Sequence, residues 1–234
     1  SLTKVIACTP AIMRLVERGQ VRLEERVPTY IPEFTGGGKA EVTVRQLITH
    51  VSGLPPDISL KPDWSGSDAA IRLACTEKLA NKPGEKLVYS DTGPILLGEI
   101  VRRVSGQPLD EFLQRELYGP LRMKDTGFNP PPEKLARIAP TEVEAGQPVR
   151  GVVHDPRARR MGGVAGHAGL FLTASDLARY ARMLLNGGEL DGVRIFKPET
   201  VKLMTSVQTP DTIAGRRSLG WDIDTGFSGP RGKV

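Results

Sequence analysis

Apolar side chains recur at helical spacing along most of the chain, and Pro- and Gly-rich turns cut the pattern into short helices. Val5, Ile6, Ile12, Met13, Leu15 and Val16 mark a mostly buried helix over residues 1–18, with Gly19 as its stop. Pro10 falls inside it. Proline removes a backbone hydrogen bond and crowds the preceding turn, so a local break near Thr9 is predicted. Thr43-Val44-Arg45-Gln46 is a capping box opening a short helix to about His50, after which His50-Val51-Ser52-Gly53-Leu54 turns. Further helices are predicted over 67–80, over 92–104 before Ser105-Gly106, and from about Pro108 to the Gly119-Pro120 stop. Another runs over 175–185 into Asn186-Gly187-Gly188, and a short one covers 198–205. Strand signals are confined to 194–196 and 219–223, and there is no internal repeat. Residues 124–170 are rich in Pro, Gly and charge and read as a long irregular excursion, a kind of segment that often carries function.

Composition narrows the class. With 234 residues, 39% hydrophobic and 25% charged, the chain has an ordinary globular make-up and can bury a core as one domain. No stretch approaches the roughly 18–20 apolar residues that span a bilayer. The only two cysteines, Cys8 and Cys75, sit in apolar helical contexts, which favours buried free thiols over a disulfide or a metal site. The net charge is +5, yet basic and acidic residues are interspersed through most of the chain. The one local excess, Arg150, Arg157, Arg159 and Arg160, has no interleaved aromatic residues to stack bases, which argues against a nucleic-acid partner. Steering of a carboxylated substrate is the use left for those arginines.

The candidate chemistry begins at the first residue. Ser1-Leu2-Thr3-Lys4 places a hydroxyl and an amine three positions apart, on one face of a helix and within reach of each other. A neutral lysine there is able to take the serine proton and make it a nucleophile. The ordinary alternative is an N-cap serine followed by a solvated lysine. A second motif, Tyr89-Ser90-Asp91, follows the Lys82-Pro83-Gly84-Glu85 turn and leads into the run Ile95, Leu96, Leu97, Ile100, Val101, Val104, so Tyr89 lies in a loop feeding a helix. On its own Tyr89 is a packing tyrosine, and Asp91 an N-cap for the helix from Thr92. His50 at its turn is read as a structural hydrogen-bonder.

These residues, in this order, resemble the penicillin-recognising serine hydrolases: the class C β-lactamases, DD-peptidases and β-lactamase-like esterases. The resemblance rests on Ser1/Lys4, on Tyr89/Asp91, on the stretch from Gln46 to Leu54, and on Gly166-His167-Ala168-Gly169-Leu170 running into Thr173-Ala174-Ser175-Asp176. It implies an α+β fold, a helical lobe beside an antiparallel sheet. It also implies Ser1 as nucleophile, Lys4 and Tyr89 sharing the base role, and Asp91 and His167 as substrate-binding residues, with no metal and no cofactor. Two departures stand out. Asp91 occupies a position where many relatives carry Asn, replacing an amide by a carboxylate that only accepts when ionised. The family's third motif, a Lys/His-x-Gly strand, has no counterpart after Leu219-Gly220-Trp221-Asp222-Ile223, and His167-Ala168-Gly169 precedes a helix instead. The chain therefore reads as a fragment, residues 1–234 of a single domain lacking N-terminal strands and C-terminal strands and helix.

The activity implied is cleavage of an ester, lactam or amide through an acyl-serine intermediate, on a small molecule or cell-wall peptide, in a periplasmic or secreted setting. Alternatives are a muropeptide amidase or DD-peptidase of the same family, a non-catalytic penicillin-binding-type sensor, and an N-terminal nucleophile hydrolase using the α-amine of Ser1.

Overall fold

The computed structural model describes residues 2–229, so Ser1 lies outside the described residues. The first helix is broken where Pro10 demands it. A π-helical turn, Lys4–Cys8, runs directly into α1, Thr9–Glu17. In a π turn Val5 and in an α turn Ile6 would look for the amide of residue 10, which proline lacks. Two buried tyrosines supply the missing donors: Tyr180 Oη donates to the Val5 carbonyl at 2.8 Å and Tyr118 Oη to the Ile6 carbonyl at 3.2 Å. The break is thus satisfied from elsewhere in the chain, and Lys4 sits on its first residue.

The capping box forms as the sequence predicts, with Thr43 and Gln46 exchanging side-chain and backbone bonds at the start of α2, Val44–Ile48. Helix α3, Ser67–Thr76, is shorter than the predicted 67–80. Lys39 Nζ takes the carbonyls of Cys75 and Glu77 at 2.6 and 3.0 Å, capping the helix end, and residue 80 instead bonds back to Gly53. Helix α4, Thr92–Ser105, is the central element and packs on α1, α2 and α3; it ends at Gly106 in the left-handed conformation. Helix α5, Leu109–Leu113, passes into a π turn, Gln114–Tyr118. The core is a single cluster, with Ile6, Ile12 and Leu15 meeting Leu96, Ile100 and Phe112. Cys8 and Cys75 are buried free thiols, as their contexts predict.

Residues 124–170 are more structured than their composition predicts. They hold a 3-10 turn (Pro132–Arg137), the hairpin β1 (Glu142–Glu144) and β2 (Gln147–Val149), and α6 (Pro156–Arg160). The remainder comprises α7 (Ala174–Leu185), the hairpin β3 (Glu189–Leu190) and β4 (Val193–Arg194), α8 (Pro198–Thr205), and β5 (Arg216–Arg217) paired with β6 (Asp222–Asp224). The β3–β4 turn is Asp191-Gly192 with both φ positive, the conformation a two-residue hairpin asks for. The architecture is α+β, a helical body carrying small antiparallel hairpins.

Candidate active site

Three segments distant in sequence meet at Lys4. The first is the π turn itself. The second is the strap bearing Tyr89, which a run of backbone bonds ties to the His50 turn: Gly84 N–H to the Val51 carbonyl at 2.8 Å and Val88 N–H to the His50 carbonyl at 2.9 Å. Beyond Tyr89, Ser90 Oγ donates to the Pro55 carbonyl at 2.6 Å and Asp91 N–H to the Pro56 carbonyl at 2.7 Å. The third is the loop 166–170. Gly166 lets it lie against the start of α4, because a Cβ there would stand 2.0 Å from the Pro94 carbonyl oxygen. Leu170 N–H donates to Thr3 Oγ1, which fastens the loop beside the π turn.

Lys4 is buried, and three groups among the described residues stand against its ammonium. The Asp91 carboxylate lies at 2.5 Å, the His167 carbonyl accepts from it at 3.3 Å, and the Tyr89 ring centroid is 4.9 Å away. Burial alone would lower the lysine, but the charge and hydrogen bond of Asp91, helped by the Tyr89 phenol, outweigh it and hold Lys4 above its ordinary value of 10.5. Asp91 begins α4 but makes no side-chain cap; its carboxylate is turned to Lys4.

Tyr89 is clamped. Its ring stacks on His50 at 4.5 Å between centroids and 26° between planes, with the Arg217 guanidinium 5.7 Å from the same centroid. His50 is buried with φ +61°, and its Nδ1 accepts from Ser90 N–H at 3.2 Å, which puts the ring proton on Nε2. Burial, reinforced by Arg217 and Lys4, keeps the imidazole well below its ordinary 6.5, hence neutral. The structural role predicted for His50 is therefore specific: it carries the Tyr89 ring.

His167 is a wall of the site as well as a turn. Its ring is fully buried and its Nε2 bonds Asp155 Oδ1 at 2.8 Å. The same Asp155 oxygen caps α6 by accepting from Arg157 and Ala158 N–H at 2.9 and 2.7 Å. Burial would raise that carboxyl, but His167 and the two amides overcome it and bring it down to about 2. Asp155 is the residue sequence reasoning missed; the Asp155-Pro156 pair is an N-cap followed by proline at the first helical position, a legible helix start without any hint of a site. One ligand atom each of Asp91, Asp155 and His167 lies within 4.8 Å of the others. They are donors of metal-binding type, with Lys4 already against one Asp91 oxygen and His167 Nε2 against one Asp155 oxygen.

Lys4, Asp91, Asp155 and His167 open onto a cleft of about 680 Å³, walled by Ile138, Val153, Leu170 and Leu172. The arginines expected to steer a carboxylate do not line it. Arg157 bonds the Ile58 carbonyl and faces Asp57, Arg159 pairs with Glu144, Arg160 with Asp63, and Arg150 bonds the Ile138 carbonyl. They are committed to holding the excursion together, which corrects that expectation. No helix among the described residues is long and apolar enough to cross a membrane.

The geometry has counterparts in known proteins. A family profile described as Beta-lactamase matches residues 1–232. A protein of Escherichia coli strain K12, provisionally named a D-alanyl-D-alanine carboxypeptidase, is 34% identical over 96% of this chain and 58% of its own length. An N-acetylmuramyl-L-alanine amidase of Bacillus subtilis strain 168 is 34% identical over 94% of this chain and 56% of its own. The crystal structure of a penicillin-binding protein homologue from Caulobacter crescentus superposes with a TM-score of 0.75 at 27% identity, covering 97% of this chain and 64% of that one. The chain thus spans little more than half the length of the curated relatives it matches.

Proposed function

The chain belongs to the beta-lactamase family, and from that membership we propose that it carries the reaction centre of a serine hydrolase acting through an acyl-serine intermediate. Ser1 is the nucleophile, Lys4 and Tyr89 handle its proton, and Asp91 and His167 bind the substrate. The observation that carries the reading is the convergence on Lys4 of residue 89 from the strap and residue 167 from the loop, at the edge of a cleft. Because Asp91 keeps Lys4 charged, the amine is not the resting base. Tyr89, beside that ammonium, acts as the base instead and takes the Ser1 proton on its phenolic oxygen as the serine oxygen bonds to the substrate carbonyl. The phenol returns that proton to the leaving group as its bond to the carbonyl carbon breaks, and water later releases the acyl group by the same route. The names of the relatives point toward an amide of cell-wall peptide as substrate.

A fluorophosphonate probe should label Ser1, located by peptide mass spectrometry, and Ser1→Ala should abolish the label. Labelling that survives the substitution refutes the assignment. The raised Lys4 also favours a second reading, a sensor that is acylated and deacylates poorly. A burst of one nitrophenol per chain with no steady rate identifies that form.

A further inference from the structure

Both carboxylates line the cleft, and each is held through one oxygen. Asp91 is fixed through Oδ1 to Lys4, and that oxygen is buried. Asp155 is fixed through Oδ1 by three donors, His167 Nε2 and the amides of Arg157 and Ala158. Among the described residues no hydrogen-bond donor reaches Oδ2 of either, both side chains remain 22% exposed, and both line the cleft. Asp155 is ionised at any ordinary pH, and Asp91 balances the Lys4 ammonium. At the floor two carboxylates therefore face one ammonium, while the Lys134 and Arg137 cations farther along the cleft both pair with Asp125.

We infer that this floor selects substrates bearing a protonated amine on the acyl side, within a bond or two of the carbonyl that is attacked, and discriminates against a carboxylate there. The inference rests on the serine-hydrolase reading for the position of that carbonyl. One oxygen of Asp91 and one of Asp155 lie no more than 4.8 Å apart, so a single nitrogen seated between them reaches both at about 2.8 Å. An ammonium has three protons to share between the two carboxylates, and a hydroxyl has one. The placement follows from Lys4: because its amine serves the reacting serine and touches Asp91, a group held by Asp91 is adjacent to the reacting carbonyl. Two carboxylates against two ammoniums then balance, whereas a substrate carboxylate would meet fixed like charges in a partly desolvated pocket.

The test uses the full chain and four nitrophenyl esters that differ at one substituent beside the carbonyl: alanyl (ammonium), lactyl (hydroxyl), isobutyryl (methyl) and methylmalonyl (carboxylate). Corrected for spontaneous hydrolysis, kcat/KM should be at least about tenfold higher for alanyl than for isobutyryl, with lactyl between them and methylmalonyl lowest. Asp155→Asn should shrink the alanyl-to-isobutyryl ratio toward one. Equilibrium binding to the Ser1→Ala protein separates this claim from the catalytic one: alaninamide should bind more tightly than isobutyramide, and the monoamide of methylmalonate should be weakest. Equal values for alanyl and isobutyryl, a lactyl ester as good as alanyl, or preference for the carboxylate overturns the inference, whichever readout gives it. Failure of Ser1 labelling with the binding order intact would sink the hydrolase reading and leave the amine-binding floor standing.

Discussion

Replacing Asp91 by Asn separates the two roles open to Lys4. At 2.5 Å and an effective dielectric of about 20, two unit charges attract by about 6–7 kcal/mol before either is desolvated. Much of that gross attraction offsets the burial of Lys4, and the net result is a lysine held above 10.5. Asn keeps the volume and loses the charge, leaving burial, the largest influence, opposed only by Tyr89, so Lys4 should drop below its ordinary value. The effect on folding has opposite signs in the two proteins. In the wild type the raised lysine contributes stability that is complete below its unfolded value and is lost as pH rises through the folded one. In Asp91→Asn the lysine is depressed, so stability is poorest in acid and recovers as pH rises. An orphaned buried ammonium costs about 3–5 kcal/mol, and a chain of this size loses about 2–4 °C per kcal/mol. The midpoint in mildly acidic buffer should therefore fall by roughly 6 °C or more, with the deficit shrinking above neutrality. The decisive assay is the pH dependence of ester hydrolysis. If the charged Lys4 supports proton transfer by Tyr89, kcat/KM at neutral pH falls by about 10²-fold and the alkaline limb moves to lower pH. If Lys4 were the resting base, the substitution would liberate it, raising the neutral rate and moving the acid limb down. That second pattern refutes the reasoning.

Three further outcomes test the supports of the site. Tyr180→Phe removes the donor to the Val5 carbonyl and should cost about 1–3 kcal/mol in a denaturant titration, with a fall in activity because the π turn carries Lys4; an unchanged midpoint would mean that the Pro10 break needs no external donor. Gly166→Ala forces a Cβ toward the Pro94 carbonyl and should destabilise by about 1–3 kcal/mol, with kcat falling as the His167 carbonyl leaves Lys4; a near-neutral change would show that the loop can move aside. His50 is neutral in the fold and ordinary at 6.5 when unfolded, so it contributes stability that is complete above about 6.5 and lost as pH falls below it. His50→Asn, which keeps an acceptor for Ser90 and tolerates positive φ, should flatten that acid dependence while retaining more activity than His50→Phe, and identical pH profiles for wild type and His50→Asn would contradict the assignment.

The elements legible in the sequence are those whose ends are set locally. The Thr43 capping box, the Gly106 stop and the 198–205 helix bounded by Pro198 all stand where pattern puts them. What pattern missed is decided by distant partners. The Pro10 break was visible, but its form as a π turn depends on Tyr118 and Tyr180, 112 and 175 positions from the carbonyls they satisfy. The overlong third helix failed for the same reason, since the Lys39 cap comes from 36 positions away. The hairpins failed differently. Asp191-Gly192 is a turn signal, but strands of two residues are too short for a period of two to register. At the site, Lys4, Tyr89 and Asp91 were legible as motifs, while Asp155 lies in a stretch with no periodicity.

Asp91 carries the sharper lesson, because it offered a plain local reading beside a chemical one. An N-cap residue ordinarily has extended backbone, which aims its side chain at the amides of the first turn. Asp91 has φ −82° and ψ −22°, already helical, so that bond is out of reach. Pro94 lies in the same first turn and removes one of the amides that a cap would serve, so the helix gives up little when the carboxylate turns away to Lys4. His167 serves two ends with different atoms. Its carbonyl takes the lysine while its ring, through Asp155, ties the loop to α6. A local propensity is overridden at low cost where the helix has already lost the donor, and that is the position at which this chain has placed its carboxylate.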